Sequence, residues 1–226
     1  MGFRALAFGL LVVLVSSPAA AESARELLTS AAFTPSDKAT ALGRIHHALK
    51  SAEAAVARNP GDQEGRLQRA LAMSYRGKLT RNRSDIMAAR QEFEAAIKSD
   101  PRSADAQMAL AGWHLGVVIE LGPFVARTAL GARTATGLQA LDRALALAGD
   151  RAFFPAIASL QRIQIDPRDV AGARRLAEAA LSSSAATPLD RLLQRQMATL
   201  LPSLRTGNGK AAAKVAKLLL PFGRVR

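Results

Sequence analysis

Apolar and polar positions along this chain alternate at helical spacing almost from end to end. Four segments carry a small or apolar residue at relative positions 0, 4 and 7, with a helix-ending residue near position 12. They are Ala48, Ala52, Ala55 and Pro60; Ala89, Phe93, Ala96 and Pro101; Gly137, Leu141, Ala144 and Gly149; and Ala173, Ala177, Ala180 and Ala185. Positions separated by 4, 3 and 7 share one helix face, and small side chains on that face let two helices approach closely. An acid follows the second position each time (Glu53, Glu94, Asp142, Glu178), and an apolar residue follows the third (Val56, Ile97, Leu145, Leu181). The pattern predicts helices near 23–32, 36–58, 62–79, 84–99, 103–121, 124–131, 134–148, 152–164, 168–183, 188–204 and 209–220. Start signals support several of these. Ser36-Asp37, Ser84-Asp85 and Ser103 can accept first-turn amide hydrogens, and Pro188 suits a first helical position.

The segment Gln91-Glu92-Phe93-Glu94-Ala95-Ala96-Ile97-Lys98-Ser99-Asp100-Pro101 resembles the second helix of a tetratricopeptide (TPR) repeat, and Asn59-Pro60 and Asp100-Pro101 resemble that family's repeat-closing dipeptide. Leu110-Ala111 stands where the family's first helix has a large-small pair; Arg69-Ala70 departs from it. The repeat starts lie 41, 48 and 36 residues apart, against a family period of about 34. The resemblance covers roughly 39–184 and implies an all-α fold. The expected form is a short TPR-like α-solenoid of antiparallel helical hairpins, about three to four repeats, with capping helices over 188–220. It also implies a concave face that binds proteins or peptides.

Composition narrows the picture further. Alanine and leucine dominate, aromatics make up 4% of the chain, and there is no cysteine. Disulfides, thiolate metal sites and cysteine nucleophiles are therefore excluded, and stability must come from apolar burial. Residues 1–21 read as a secretory signal: Arg4, an apolar run from Leu6 to Val15, then Ser16-Ser17-Pro18 and Ala19-Ala20-Ala21. Cleavage after Ala21 is expected, leaving a soluble periplasmic or secreted domain over 22–226. The apolar run is about half the length needed to span a membrane.

Catalytic constellations are absent. His46 and His47 are adjacent, so they point about 100° apart on a helix and cannot chelate one ion at i, i+4 spacing. There is no phosphate-binding glycine loop and no nucleophile elbow. A non-enzymatic protein without metal or cofactor is expected.

The net charge of +13 favours anionic partners, such as an acidic protein or peptide, or an anionic membrane or cell-wall surface. Nucleic acid is a poor inference for an exported chain that lacks base-stacking aromatics. Basic residues concentrate in two places. Arg66, Arg69 and Arg76 fall within about 80° of one another on a helix, near Lys78, Arg81 and Arg83, and read either as a solvated face or as an anion-binding rim. Near the C-terminus, Lys210, Lys214 and Lys217 line one face and Ala211, Val215, Leu218 and Leu219 another. That helix reads either as a solenoid cap or, with Phe222, Arg224 and Arg226, as a membrane-surface element.

The stretch from Gly112 to Arg127 is unusually apolar for a connection. Two readings stay open: it folds back as a short extra helix that seals the core, or it lines a pocket. A pocket would have Trp113, Val117, Leu121 and Phe124 as walls and His114 or Glu120 as its polar group. A buried Glu120 would require Arg127 or Arg133 close by. The leading functional reading is a scaffold that docks a protein or peptide. The alternative is a small-ligand-binding component of an envelope uptake system.

Overall fold

A computed structural model describes residues 23–34 and 37–225. The expected signal segment and Ser36 lie outside these residues, as does Arg226. Among the described residues are eleven helices: α1 Ala24–Phe33, α2 Lys38–Arg58, α3 Gln63–Thr80, α4 Arg83–Ser99, α5 Ala104–Leu121, α6 Pro123–Leu130, α7 Thr134–Leu147, α8 Phe153–Ile165, α9 Val170–Ser182, α10 Pro188–Arg205 and α11 Gly209–Leu219. All eleven expected helices are present within two residues of their expected bounds, so the chain is all-α. No single helix among the described residues is long and apolar enough to cross a membrane.

Local chemistry sets the helix starts. Asp37, Asp62, Ser103, Asp169, Thr187 and Asn208 each accept an amide hydrogen from the first turn that follows. At α4 the cap is Asn82 and not the Ser84-Asp85 pair. Arg81 at φ 59° ends α3 and leaves the extended position to Asn82, so the helix begins one residue earlier than expected.

One turn recurs three times. In Asn59-Pro60-Gly61-Asp62, Asp100-Pro101-Arg102-Ser103 and Asp166-Pro167-Arg168-Asp169, the first side chain accepts from the amide two residues on. Its carbonyl accepts from the amide three residues on. The fourth residue then caps the next helix. Proline stops the first helix and the Asx oxygen replaces the missing helical partner.

Consecutive helices pack as hairpins: α1 on α2, α2 on α3, α3 on α4, α4 on α5, α5 on α7, α8 on α9, α9 on α10 and α10 on α11. The repeated small positions lie in the contacts. Ala48, Ala52, Ala89, Phe93, Gly137, Leu141, Ala173 and Ala177 are all buried, whereas Glu53, Glu94, Asp142 and Glu178 are exposed. At Gly137 a Cβ would come within 2.6 Å of Leu115 Cδ2 and 3.0 Å of His114 Cβ, which is why α5 and α7 can pack so closely.

The last described residues return to the first described helix. α11 packs on α8 and α10 and buries Ala212, Ala216 and Leu219. Residues 220–225 then cross to the first helix. The Phe222 amide donates to Ala32 O at 2.8 Å, and its ring, 7% exposed, meets Tyr75 edge-on with centroids 4.9 Å apart. Of the two readings of this tail, the membrane-surface one needs Phe222 facing outward, and Phe222 is buried. Its ring joins Leu28, Ile45 and Leu49 in the N-terminal core cluster of α1–α3.

Candidate functional site

Residues of α1, α3, α5 and α8, joined by Phe93 of α4, Leu189 of α10 and Lys217 of α11, surround a partly enclosed cavity of about 370 Å³, with the tail after α11 along one side. Its walls are mostly apolar, including Leu28, Leu67, Leu71, Met108, Trp113, Phe153, Ile157 and Phe222. Ligand sites typically start near this size and carry a few polar groups in an apolar lining.

Helix α5 supplies the longest wall. Asp105, Met108, Ala109, Gly112, Trp113, Gly116, Ile119 and Glu120 share its inner face. Two glycines in a helix interior cost about 1 kcal/mol each relative to alanine. Here they leave space: a Cβ on Gly116 would meet nothing within 4 Å, and one on Gly112 would reach only Gln161 Nε2, at 3.5 Å.

The polar groups of the lining fall into two sets. Four of the charged lining residues, Arg25, Lys78, Asp105 and Glu120, form ion pairs. Arg25 binds Glu64 in a two-pronged pair (3.0 and 2.9 Å) and approaches Asp105 at 3.5 Å. Lys78 lies 3.2 Å from Glu120 and 3.4 Å from Pro221 O. The second set is uncharged. Gln68 and Gln161 are 3% and 6% exposed, and the Oε1 atom of each has no hydrogen-bond partner among the described residues. Gln68 Nε2 donates to Glu64 Oε1 at 2.8 Å, so its amide orientation is fixed. Tyr75 also lines the cavity; burial pushes its hydroxyl up to about 12, so it stays a neutral phenol.

The residues singled out from sequence are scattered. Trp113 is a cavity wall, its Nε1 donating to Ile86 O at 2.8 Å and its ring under the Arg90 guanidinium. Glu120 is at the cavity edge but exposed, and its partner is Lys78 rather than Arg127 or Arg133. His114 is one residue further round α5 than Trp113 and faces α7, where its Nδ1 accepts the Arg133 amide at 3.2 Å. It is 2% exposed, and burial, with Arg90 and Arg133 outweighing Glu94, holds its imidazole down at about 4. His114 is therefore neutral and structural, not the pocket's polar group.

Val117 belongs to the core beside α4. Leu121 and Phe124, expected as walls, are exposed; Phe124 reaches 70% at the sharp α5–α6 corner beside Val125. The reason for the difference is that 112–121 is not a connection at all. It continues α5, and only residues 122–133 form the turn with the short helix α6, which buries Ala126 and Leu130 against the Trp113 cluster.

The arginine row is likewise divided. Arg69 pairs with Glu92, and Arg76 holds Asp85 through two bonds of 2.6 and 2.7 Å, both linking α3 to α4. Arg66 is exposed. Lys210, Lys214 and Lys217 are exposed on α11, and Lys217 reaches the cavity rim. Among the described residues no group of three or more His, Cys, Asp or Glu side chains gathers as a metal site.

Sequence reading missed both glutamines and the tail. Neither glutamine has a motif around it, and only the meeting of α3, α5 and α8 makes them neighbours of a cavity. Comparison of the chain with family models, with curated proteins and with solved structures finds no match, so its function must be argued from this geometry.

Proposed function

We propose that this chain is an exported, non-enzymatic binding protein that takes a small apolar ligand into its inner cavity. Its helices are best described as a TPR-like array, with α1, α3, α5 and α8 as the inner helices of successive hairpins and α2, α4, α7 and α9 as the outer ones. The observation that carries the proposal is the lining. A mostly apolar cavity of about 370 Å³ lies between the inner helices, and two helix glycines face into it. The inner face is where an array of this kind would seat an extended peptide. Here residues 220–225 run along it, which favours a small molecule over a long segment.

The test is a thermal-shift screen of apolar and amphiphilic compounds against the purified protein and Gly116→Leu. A ligand-dependent rise in melting temperature, absent in the variant, supports the reading. A flat screen across lipids, organic acids and aromatic compounds would sink it.

The second reading is protein docking, favoured by the corner of α5 and α6. Leu121, Phe124 and Val125 are exposed there together, beside exposed Arg127 and Arg133, and the chain has no acid between Glu120 and Asp142. An acidic partner would fit this corner. Loss of a crosslinked partner in Phe124→Asp, with retention in Gly116→Leu, would favour docking over ligand binding.

A further inference from the structure

We propose that the corner of α5 and α6 is a membrane contact: Leu121, Phe124 and Val125 enter an anionic bilayer, and the arginines beside them meet its lipid phosphates. This occupant stands in place of the protein partner considered above and does not depend on the cavity.

The first observation is where apolar surface is left uncovered. Among the described residues five large apolar side chains are exposed, and three of them, Leu121 at 44%, Phe124 at 70% and Val125 at 47%, belong to this corner. Single exposed apolar residues are ordinary on a protein surface; a contiguous group marks a contact.

The fold holds that group in place. α6 leaves α5 at a bend of 119° and buries Ala126 and Leu130 against the Trp113 cluster. At about 100° per residue, Phe124 then lies on the opposite side of α6, away from the core, with Val125 and Arg127 to either side of it. A helix as short as α6 has little stability alone, so packing forms this surface before any contact is made.

The second observation is charge. Arg83 reaches α6 from α4, its Nη2 donating to Ala129 O at 3.1 Å, and Arg127 and Arg133 are exposed and line one surface hollow with Phe124. None of these three arginines forms an ion pair among the described residues. The acids nearby are occupied: Glu120 with Lys78, Glu94 with Arg90 and Asp85 with Arg76. No acid occurs between Glu120 and Asp142. Each cation held at an anionic bilayer surface strengthens binding about fivefold.

The arrangement favours a bilayer over a protein. The cations come from three segments, α4, α6 and the turn before α7, and flank a projecting apolar point. A protein partner must supply a matching hollow with carboxylates placed around it, whereas a bilayer deforms around the point and offers phosphate on every side. The C-terminal tail cannot serve instead, because its ring, Phe222, is buried.

The experiment mixes the purified protein with vesicles of phosphatidylcholine alone, or of equal parts phosphatidylcholine and phosphatidylglycerol, and reads co-sedimentation. Binding to the mixed vesicles should be at least about tenfold tighter and should weaken as salt is raised. Net charge alone attracts this chain to anionic vesicles, so position must be separated from charge. Phe124→Asp should weaken binding about tenfold or more. Leu181→Asp, the same charge change on α9, should weaken it less than about threefold. Arg127→Gln should cost about fivefold. All three positions are exposed, so each variant should keep the helical circular dichroism of the unaltered protein.

Because the chain has no cysteine, a dye on Val125→Cys reports this corner alone. An environment-sensitive dye there should brighten and shift to the blue on the mixed vesicles, and the same dye on Leu181→Cys should not. Absence of binding to the mixed vesicles would overturn the proposal and leave the corner to a protein partner. So would equal losses in Phe124→Asp and Leu181→Asp, or a dye at residue 125 that stays in water. The cavity reading is untouched by either result, since its test is Gly116→Leu.

Discussion

Removing the Phe222 ring tests whether the returning tail holds the two ends of the fold together. The ring is 7% exposed, packs edge-on against Tyr75 and joins the cluster of Leu28, Ile45 and Leu49. Phe→Ala in a packed core costs about 3–5 kcal/mol. Phe222 also borders the cavity, so part of its surface has no close-packed neighbour, and the lower end of that range applies: about 3 kcal/mol. In a chain of this size that corresponds to a melting-temperature fall of about 6–12 °C.

A second substitution separates side chain from backbone. Phe222 has φ 63°, the left-handed region, which costs a non-glycine residue about 1 kcal/mol or more. Phe222→Gly loses the same ring but relieves that strain, so it should be more stable than Phe222→Ala, the reverse of the usual order for these two residues. Urea unfolding followed by circular dichroism gives both values. A loss under about 1 kcal/mol for Phe222→Ala, or Phe222→Gly being the weaker variant, would refute the reasoning.

Three further outcomes follow from the same structure. Gln161→Leu removes a buried amide whose oxygen has no protein partner, so the ligand-free protein should gain about 1 kcal/mol, read as a rise of about 2–4 °C. His114 binds a proton at about 4 in the fold and near 6.5 when unfolded, so the unfolded state takes up protons first and stability falls as pH is lowered through this window. The loss is up to about 3 kcal/mol, and His114→Gln should flatten urea midpoints measured between pH 6.5 and 4.5. Gly137→Ala drives a methyl into Leu115 and His114 and should cost about 2 kcal/mol despite alanine's better helix propensity; a neutral or stabilising result in thermal unfolding would mean α5 and α7 are not packed as described.

What could be read from the sequence was local. Helix bounds follow from the 3.6-residue period and from caps that lie within three residues of the groups they satisfy, so all eleven helices were legible. The third Asx-Pro turn, Asp166-Pro167-Arg168-Asp169, was equally legible in principle. It was hidden because it joins α8 to α9, within the expected fourth hairpin, and does not close a repeat as the first two do. Residues 112–127 misled for a related reason. The apolar run reads as an enlarged turn, but 112–121 completes α5, where Gly116 faces open space and Gly112 lies under Gln161 Nε2. His114 and Trp113 are adjacent in sequence yet face different neighbours, because one residue turns a helix by about 100°. The placement of Gln68, Gln161 and Phe222 depends on contacts 90 to 190 residues apart along the chain, and no local pattern encodes it.

The return of residues 220–225 to α1 changes how this set of helices should behave. An open stack of hairpins behaves as a one-dimensional series, able to fray from either end and to gain or lose units with little effect on the rest. With Phe222 seated against α1 and α3, the last described residues are tied to the first described helix, so fraying there must break long-range contacts. Unfolding should then be a single transition, not stepwise. An inserted or deleted hairpin would break those contacts instead of lengthening the protein. Joining the last described residues to the first through a short linker and cutting a surface turn elsewhere is the rearrangement such a fold should tolerate.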